Sequence, residues 1–283
     1  MNFGNDTSLA IIARAVIIGT AVVLAGTIPR NLFFALNLRF FSGIPWAVPV
    51  TGIYLWFFWN QLKSSDERRR LLRANPLPVR IWLWALAAGL LGILALVLAL
   101  NIANRFVTLP GQQLPNLTAV PTVTVFSLLL AAAPIAGLIE EAAFRGYMQG
   151  PIERRCGLPI AILITGTMFA LVHLDFTPIL WPYYVAVAAL YGTVTSLTNS
   201  ILPAIVLHTL GNTYSNLDLL LHGRAEWQAA SGGQHIAGPG TSIMVAALIV
   251  VTIATWRAFV RLSGSVPPSM TAADRRGFLS ISD

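Results

Sequence analysis

Two adjacent carboxylates, Glu140 and Glu141, are followed four residues later by Arg145, in a run otherwise apolar from about residue 125 to 148. Each ionised group at the centre of a membrane helix costs roughly 2.5–3.5 kcal/mol on insertion scales. Three together require partners, water or a reacting group. At i,i+4 spacing Glu141 and Arg145 share a helical face and are expected to pair. Glu140 lies about 100° round the helix and can point elsewhere. Two carboxylates in different surroundings can take different roles, one as a base and one as a brace. The blander reading is a buried salt bridge with one extra acid that only fixes helix packing.

Further along, Phe169 precedes His173 by four residues, and His208 precedes Asn212 by four. Taken singly, a histidine near a helix end is often a hydrogen-bonded interface residue. His208 and Asn212 could likewise do no more than join two helices, worth about 0.6 kcal/mol on average. Their conjunction with the acidic pair says more. Only four histidines occur, and His222 and His235 fall in the polar stretch after residue 221, where solvation is expected. Asn216 and Asp218 read as a solvated helix terminus. A carboxylate next to a histidine can activate water. A second histidine with a carboxamide can donate hydrogen bonds to a developing oxyanion. The set describes a water-dependent acyl-hydrolysis site enclosed in lipid. Cys156 is the only cysteine, which excludes an intrachain disulfide and multi-thiolate metal sites. Beside Arg154 and Arg155 it reads as a loop thiol without a role.

The elements that must position these groups are membrane helices. The chain has 283 residues, 56% hydrophobic and 10% charged, against about 25% charged in a soluble domain. The net charge of +7 sits in short segments between apolar runs, without the basic–aromatic patch that nucleic acid requires. Such segments read as cytoplasmic loops, close to anionic lipid. A crossing needs about 20 apolar residues, and eight spans are expected: 8–28, 44–61, 81–103, 122–149, 158–174, 179–197, 202–221 and 242–262. Residues 31–43 are aromatic-rich and suit the interface. Asn5, Asp6, Thr7 and Ser8 are N-cap candidates. Residues 63–80 hold six basic side chains with Pro76 and Pro78, the strongest topological marker. Placing them in the cytoplasm puts both termini inside, with Arg30 and Arg39 against the scheme. The expected architecture is an all-α polytopic bundle of about eight transmembrane helices. It divides into spans 1–3 with their loops (1–120), a core (121–221), a loop and last span (222–262) and a polar tail (263–283).

The motifs Glu140-Glu141-x-x-x-Arg145, Phe169-x-x-x-His173 and His208-x-x-x-Asn212 resemble, in order and spacing, those of the CAAX-protease and bacteriocin-processing (CPBP) family. These are intramembrane proteases related to the prenyl-protein endopeptidase of eukaryotes. The resemblance covers about residues 135–215. It implies Glu140 as general base on water, His173 holding or polarising that water, and His208 with Asn212 as the oxyanion site. Glu141, Arg145 and Phe169 would be supporting. It implies a membrane-associated peptide or protein substrate, prenylated in some members, and a multi-pass protein of a prokaryotic cell membrane. The chain has no His-Glu-x-x-His motif, and no tightly bound metal is expected. If zinc or another divalent metal were held, Glu140, His173 and His208 would be its ligands. The competing functions are a non-catalytic membrane scaffold or immunity protein of the same fold, and a proton-coupled transporter using the acids and histidines as a relay.

One geometric demand accompanies this reading. With spans 122–149 and 158–174 antiparallel about a loop near residue 154, Glu140 lies level with about residue 168. His173 is then about 7 Å too deep. Kinks at Gly166, Pro203 or Gly211 are expected to bring Glu140, His173 and His208 to one water-reachable cavity.

Overall fold

The computed structural model describes residues 7–107, 119–173, 180–222 and 239–267. Among these, every regular element is helical: α1 Ser8–Arg39, α2 Ala47–Leu62, α3 Asp66–Leu72, α4 Val79–Phe106, α5 Thr122–Glu141, a π-helical segment Ala142–Gln149, α6 Gly150–Cys156, α7 Leu158–Val172, α8 Trp181–Thr198, α9 Leu202–His222 and α10 Pro239–Ser263. The all-α architecture expected from the apolar runs is present. Four stretches are long and apolar enough to cross a bilayer: Ser8–Arg39, Val79–Phe106, Thr122–Cys156 and Gly240–Ser263. The chain is an integral membrane protein. Eight full crossings are not established by helix length and apolarity. The 16 residues of α2 span about 24 Å at 1.5 Å each, short of a hydrocarbon core of about 30 Å. The 15 residues of α7 reach less far still.

The Thr7 hydroxyl caps α1, accepting from the Ala10 N–H at 3.3 Å. Asn5 and Asp6, the other cap candidates, lie outside the described residues, as do His235 and the polar tail beyond 267. Instead of ending near residue 28, α1 continues through Pro29 to Arg39, so most of the aromatic stretch 31–43 is helical. A proline inside a helix leaves the carbonyl four residues back without its usual donor. Here that carbonyl belongs to Ala25, and the Tyr54 hydroxyl of α2 donates to it at 2.5 Å. Tyr54→Phe should therefore lower unfolding stability by about 1–2 kcal/mol, read as a fall in the Tm of the detergent-solubilised protein.

The basic stretch after α2 is not all loop. Ser65 caps α3 by accepting from Arg68 N–H at 3.2 Å, and Arg73 ends it in the left-handed region at φ 56°. Arg73 is buried. Its guanidinium pairs with Glu153 of α6 at 3.0 Å and donates to Asn199 Oδ1 at 2.9 Å and the Thr195 carbonyl at 3.3 Å. Glu153 also accepts from Ser196 and from Gln149 at 3.1 Å. One of the six basic residues of the marker segment is thus a structural clasp between α3, α6 and the end of α8.

The core has two centres. The larger surrounds the π segment, where Phe144, Tyr147, Met148 and Ile152 pack with Leu72, Ile139 and Phe169. The smaller joins α4, α8, α9 and α10 through Ile81, Leu190, Val194, Leu207 and Leu262. The long pairings α5 with α9, α7 with α8 and α1 with the π segment set the three motifs facing one another.

Candidate active site

All eight residues of the π segment are buried. A π turn is wider than an α turn and often marks a functional site. Here it follows directly on Glu140 and Glu141. Small side chains let its neighbours close in: a Cβ on Gly146 would stand 3.0 Å from the Leu72 carbonyl oxygen. Arg145, within this segment, has no solvent exposure, and neither has Glu141. Their Nη1 and Oε1 atoms lie 3.1 Å apart, yet no Arg145 nitrogen is aligned for a hydrogen bond. The contact is therefore coulombic. Aromatic faces complete the cage, with the guanidinium carbon 5.2 Å from the Phe169 ring, 5.4 Å from Tyr191 and 5.9 Å from Phe144. Cation–π attraction in a desolvated setting contributes about 2 kcal/mol.

The same Glu141 oxygen accepts from His208 Nδ1 at 2.8 Å. Glu141 is thus shared between Arg145 and His208. With Nδ1–H held by the carboxylate, Nε2 is the nitrogen turned towards Glu140, whose Oε2 lies 3.8 Å away. That Glu140 oxygen has no hydrogen-bond partner. Tyr191 stacks on the His208 ring at 5.4 Å and 23°, fixing its plane. The close approach of α9 to α5 that makes this possible occurs at Gly137. A Cβ there would meet Thr209 Oγ1 at 2.7 Å and the Ile205 carbonyl at 3.0 Å. Because the second obstacle is backbone, α9 would have to move. Gly137→Ala should cost about 1–3 kcal/mol of stability, seen as a lower Tm, and should displace His208 from Glu141.

His173 closes α7, and its Nδ1 lies 2.7 Å from the Phe169 carbonyl oxygen. A carbonyl can only accept, so Nδ1 carries the hydrogen and Nε2 of the neutral ring keeps its lone pair. That bond holds the imidazole against the last turn of α7, beside the Phe169 ring. The Phe169 ring lies 4.5 Å from His173 and 6.0 Å from His208, so the two histidines flank one aromatic. Both line a cavity of about 440 Å³, together with Phe169, Tyr191, Asn212 and Arg30.

The structure therefore brings together His173, His208, Asn212 and Phe169 at one cavity. Glu140, expected to converge on it with the two histidines, is not among its lining residues and stands next to it, 3.8 Å from His208 Nε2, with Glu141–Arg145 behind. Glu140 and His173 make no direct hydrogen bond among the described residues. Nor do three His, Cys, Asp or Glu side chains among them cluster closely enough to hold a metal ion. Glu140, His173 and His208 as placed do not form a three-donor zinc site. Sequence reasoning missed Arg30 and Tyr191. Arg30 was visible as a charge between apolar residues, but it was weighed only as a topological marker.

Residues 122–214 match the family model described as type II CAAX prenyl endopeptidase Rce1-like. The interval runs from the start of α5 into α9 and contains every motif residue from Glu140 to Asn212. The resemblance to CAAX proteases thus rests on an independent comparison as well as on spacing. No curated protein and no solved structure matches the chain.

Proposed function

We propose that this membrane protein, whose helical core carries the CAAX-protease family signature, is an intramembrane endopeptidase acting on a membrane-associated protein or peptide. The observation that carries the reading is His208 held between two carboxylates, at 2.8 Å from Glu141 and 3.8 Å from Glu140, on the wall of a cavity shared with His173 and Asn212. Glu140 has a free carboxylate oxygen to take a proton. His173 offers Nε2 to accept a hydrogen bond from water.

Attack follows from these roles. Water oxygen bonds to the scissile carbonyl carbon while Glu140 takes its proton. The oxyanion is met by His208 Nε2–H, when the ring carries both hydrogens, and by the Asn212 carboxamide. Collapse breaks the C–N bond, and Glu140 returns its proton to the leaving amine. Preorganised donors of the oxyanion type are worth about 2.7–4 kcal/mol each. Arg145 neutralises Glu141, so the charge behind His208 is buried as a pair. The substrate is peptidic and membrane-associated, and a prenylated segment is one member of that class. The proposed setting is a prokaryotic cell membrane with both termini cytoplasmic.

Full-length protein in proteoliposomes, given a panel of membrane-anchored peptides in heavy-oxygen water, should release fragments whose new carboxylate carries one heavy oxygen. A chelator should leave the rate unchanged, since among the described residues no three donors gather to hold a metal ion. A chelator-sensitive rate would recast Glu140 and His208 as ligands. No cleavage across the panel would overturn the endopeptidase reading.

A further inference from the structure

Among the described residues lining the cavity, Arg30 is the one arginine or lysine. It stands on α1, outside the interval matched to the protease family. Its guanidinium carbon lies 5.9 Å over the Phe34 ring. Its Nε is buried without a hydrogen-bond partner, and among the described residues Arg30 makes no ion pair. Glu140 is close enough to act on it electrostatically, yet the two form no salt bridge.

The cavity that Arg30 lines carries an aliphatic stretch of Leu96, Leu100, Leu180 and Val187, and among the described residues no charge but that of Glu140 offsets the desolvation of the guanidinium. Pairing it with Glu140 would occupy the base. Among the described residues no carboxylate pairs directly with Arg30, so an anion that the ligand brings can take that position. A guanidinium presents paired N–H groups that match a carboxylate bidentately. A single positive charge balances a monoanion, whereas a phosphate dianion would call for a second cation on the same wall. The volume of about 440 Å³ lies within the roughly 300–1,000 Å³ of small-ligand pockets. It has room for a short peptide segment.

Resting on the endopeptidase reading, we propose that Arg30 is a specificity-determining residue that binds a carboxylate carried by an apolar peptide segment of the substrate. The carboxylate is the chain terminus or an acidic side chain. The apolar residues of the segment pack on the aliphatic wall between α4 and α8, and the carboxylate sets how far the segment enters relative to Glu140 and His208.

The test uses three fluorescent pentapeptides of leucine, valine and alanine. One ends in a free carboxylate, one in a carboxamide, and one in a carboxamide with an internal glutamate. Binding is measured to the full-length protein, to Arg30→Gln and to Arg30→Lys, each checked for an intact thermal transition. Wild type should bind the free acid at least about tenfold more tightly than the neutral carboxamide. That ratio should fall to about one in Arg30→Gln and recover in part in Arg30→Lys. Tight binding of the internal-glutamate peptide assigns the site to a side chain, and weak binding assigns it to a chain terminus. Equal binding of all three by wild type, no binding of any, or a preference that survives Arg30→Gln overturns the proposal. Acid-selective binding without cleavage would sink the endopeptidase reading and leave the role of Arg30 standing.

Discussion

Glu140→Gln should lower kcat by about a hundred- to ten-thousand-fold, the range supplied by a positioned general base, and leave the thermal transition nearly where it was. The replacement keeps the shape of the side chain and removes its ability to take a proton. Structural cost is small because the buried Oε2 has no hydrogen-bond partner to lose. At 3.8 Å its approach to His208 Nε2 is beyond hydrogen-bond length. KM should change little, since the carboxamide keeps the size of the carboxylate. Rates and Tm measured on the same preparation decide the matter. Activity within tenfold of wild type would remove Glu140 as the base. A fall in Tm matching the fall in rate would make it a packing residue instead.

How much of this site was legible follows from what sequence spacing can encode. The i,i+4 relation of Glu141 and Arg145 survives in the structure because the pair spans the junction of α5 with the π segment and remains in contact at 3.1 Å. The π segment itself left no trace. Its composition, with Ala142, Ala143 and Gly146 between Phe144 and Tyr147, suits an α-helix equally well, and only tertiary packing selects the wider turn. The apparent excess depth of His173 came from placing the turn between the two spans near residue 154. In the structure the chain reverses at Gly157 between α6 and α7, later than that assumed loop. Counting 17 residues either way from Gly157 puts Glu140 level with about residue 174 instead of 168. Arg30 was misread for a different reason. Charge counting along spans says which side of the membrane a residue favours, and nothing of the direction in which its side chain points. Helices α5 to α9 were visible as separate apolar runs, but their pairing was not, because contact at Gly137 depends on what stands opposite.

The Glu141–Arg145 pair should show the opposite pattern to Glu140, with loss of stability in the single variants and loss of activity in the double. Both side chains have no solvent exposure. Arg145→Met strands the Glu141 carboxylate with His208 as its remaining partner, and breaking a buried pair from one side costs roughly 3–5 kcal/mol. Glu141→Leu strands the guanidinium among Phe144, Phe169 and Tyr191 at a similar cost. Replacing both with apolar residues removes the uncompensated charge, and such replacements are often neutral or better. The double variant should therefore recover most of the lost Tm. Its kcat should stay low, because His208 Nδ1 then has no acceptor at 2.8 Å and either tautomer is free to form. Glu141→Gln distinguishes positioning from packing, since its carboxamide oxygen can still accept from Nδ1. That variant should retain more activity than the stable double variant. If the double variant is both stable and active, Glu141 holds only the fold together, and the orientation of His208 comes from Tyr191 stacking alone.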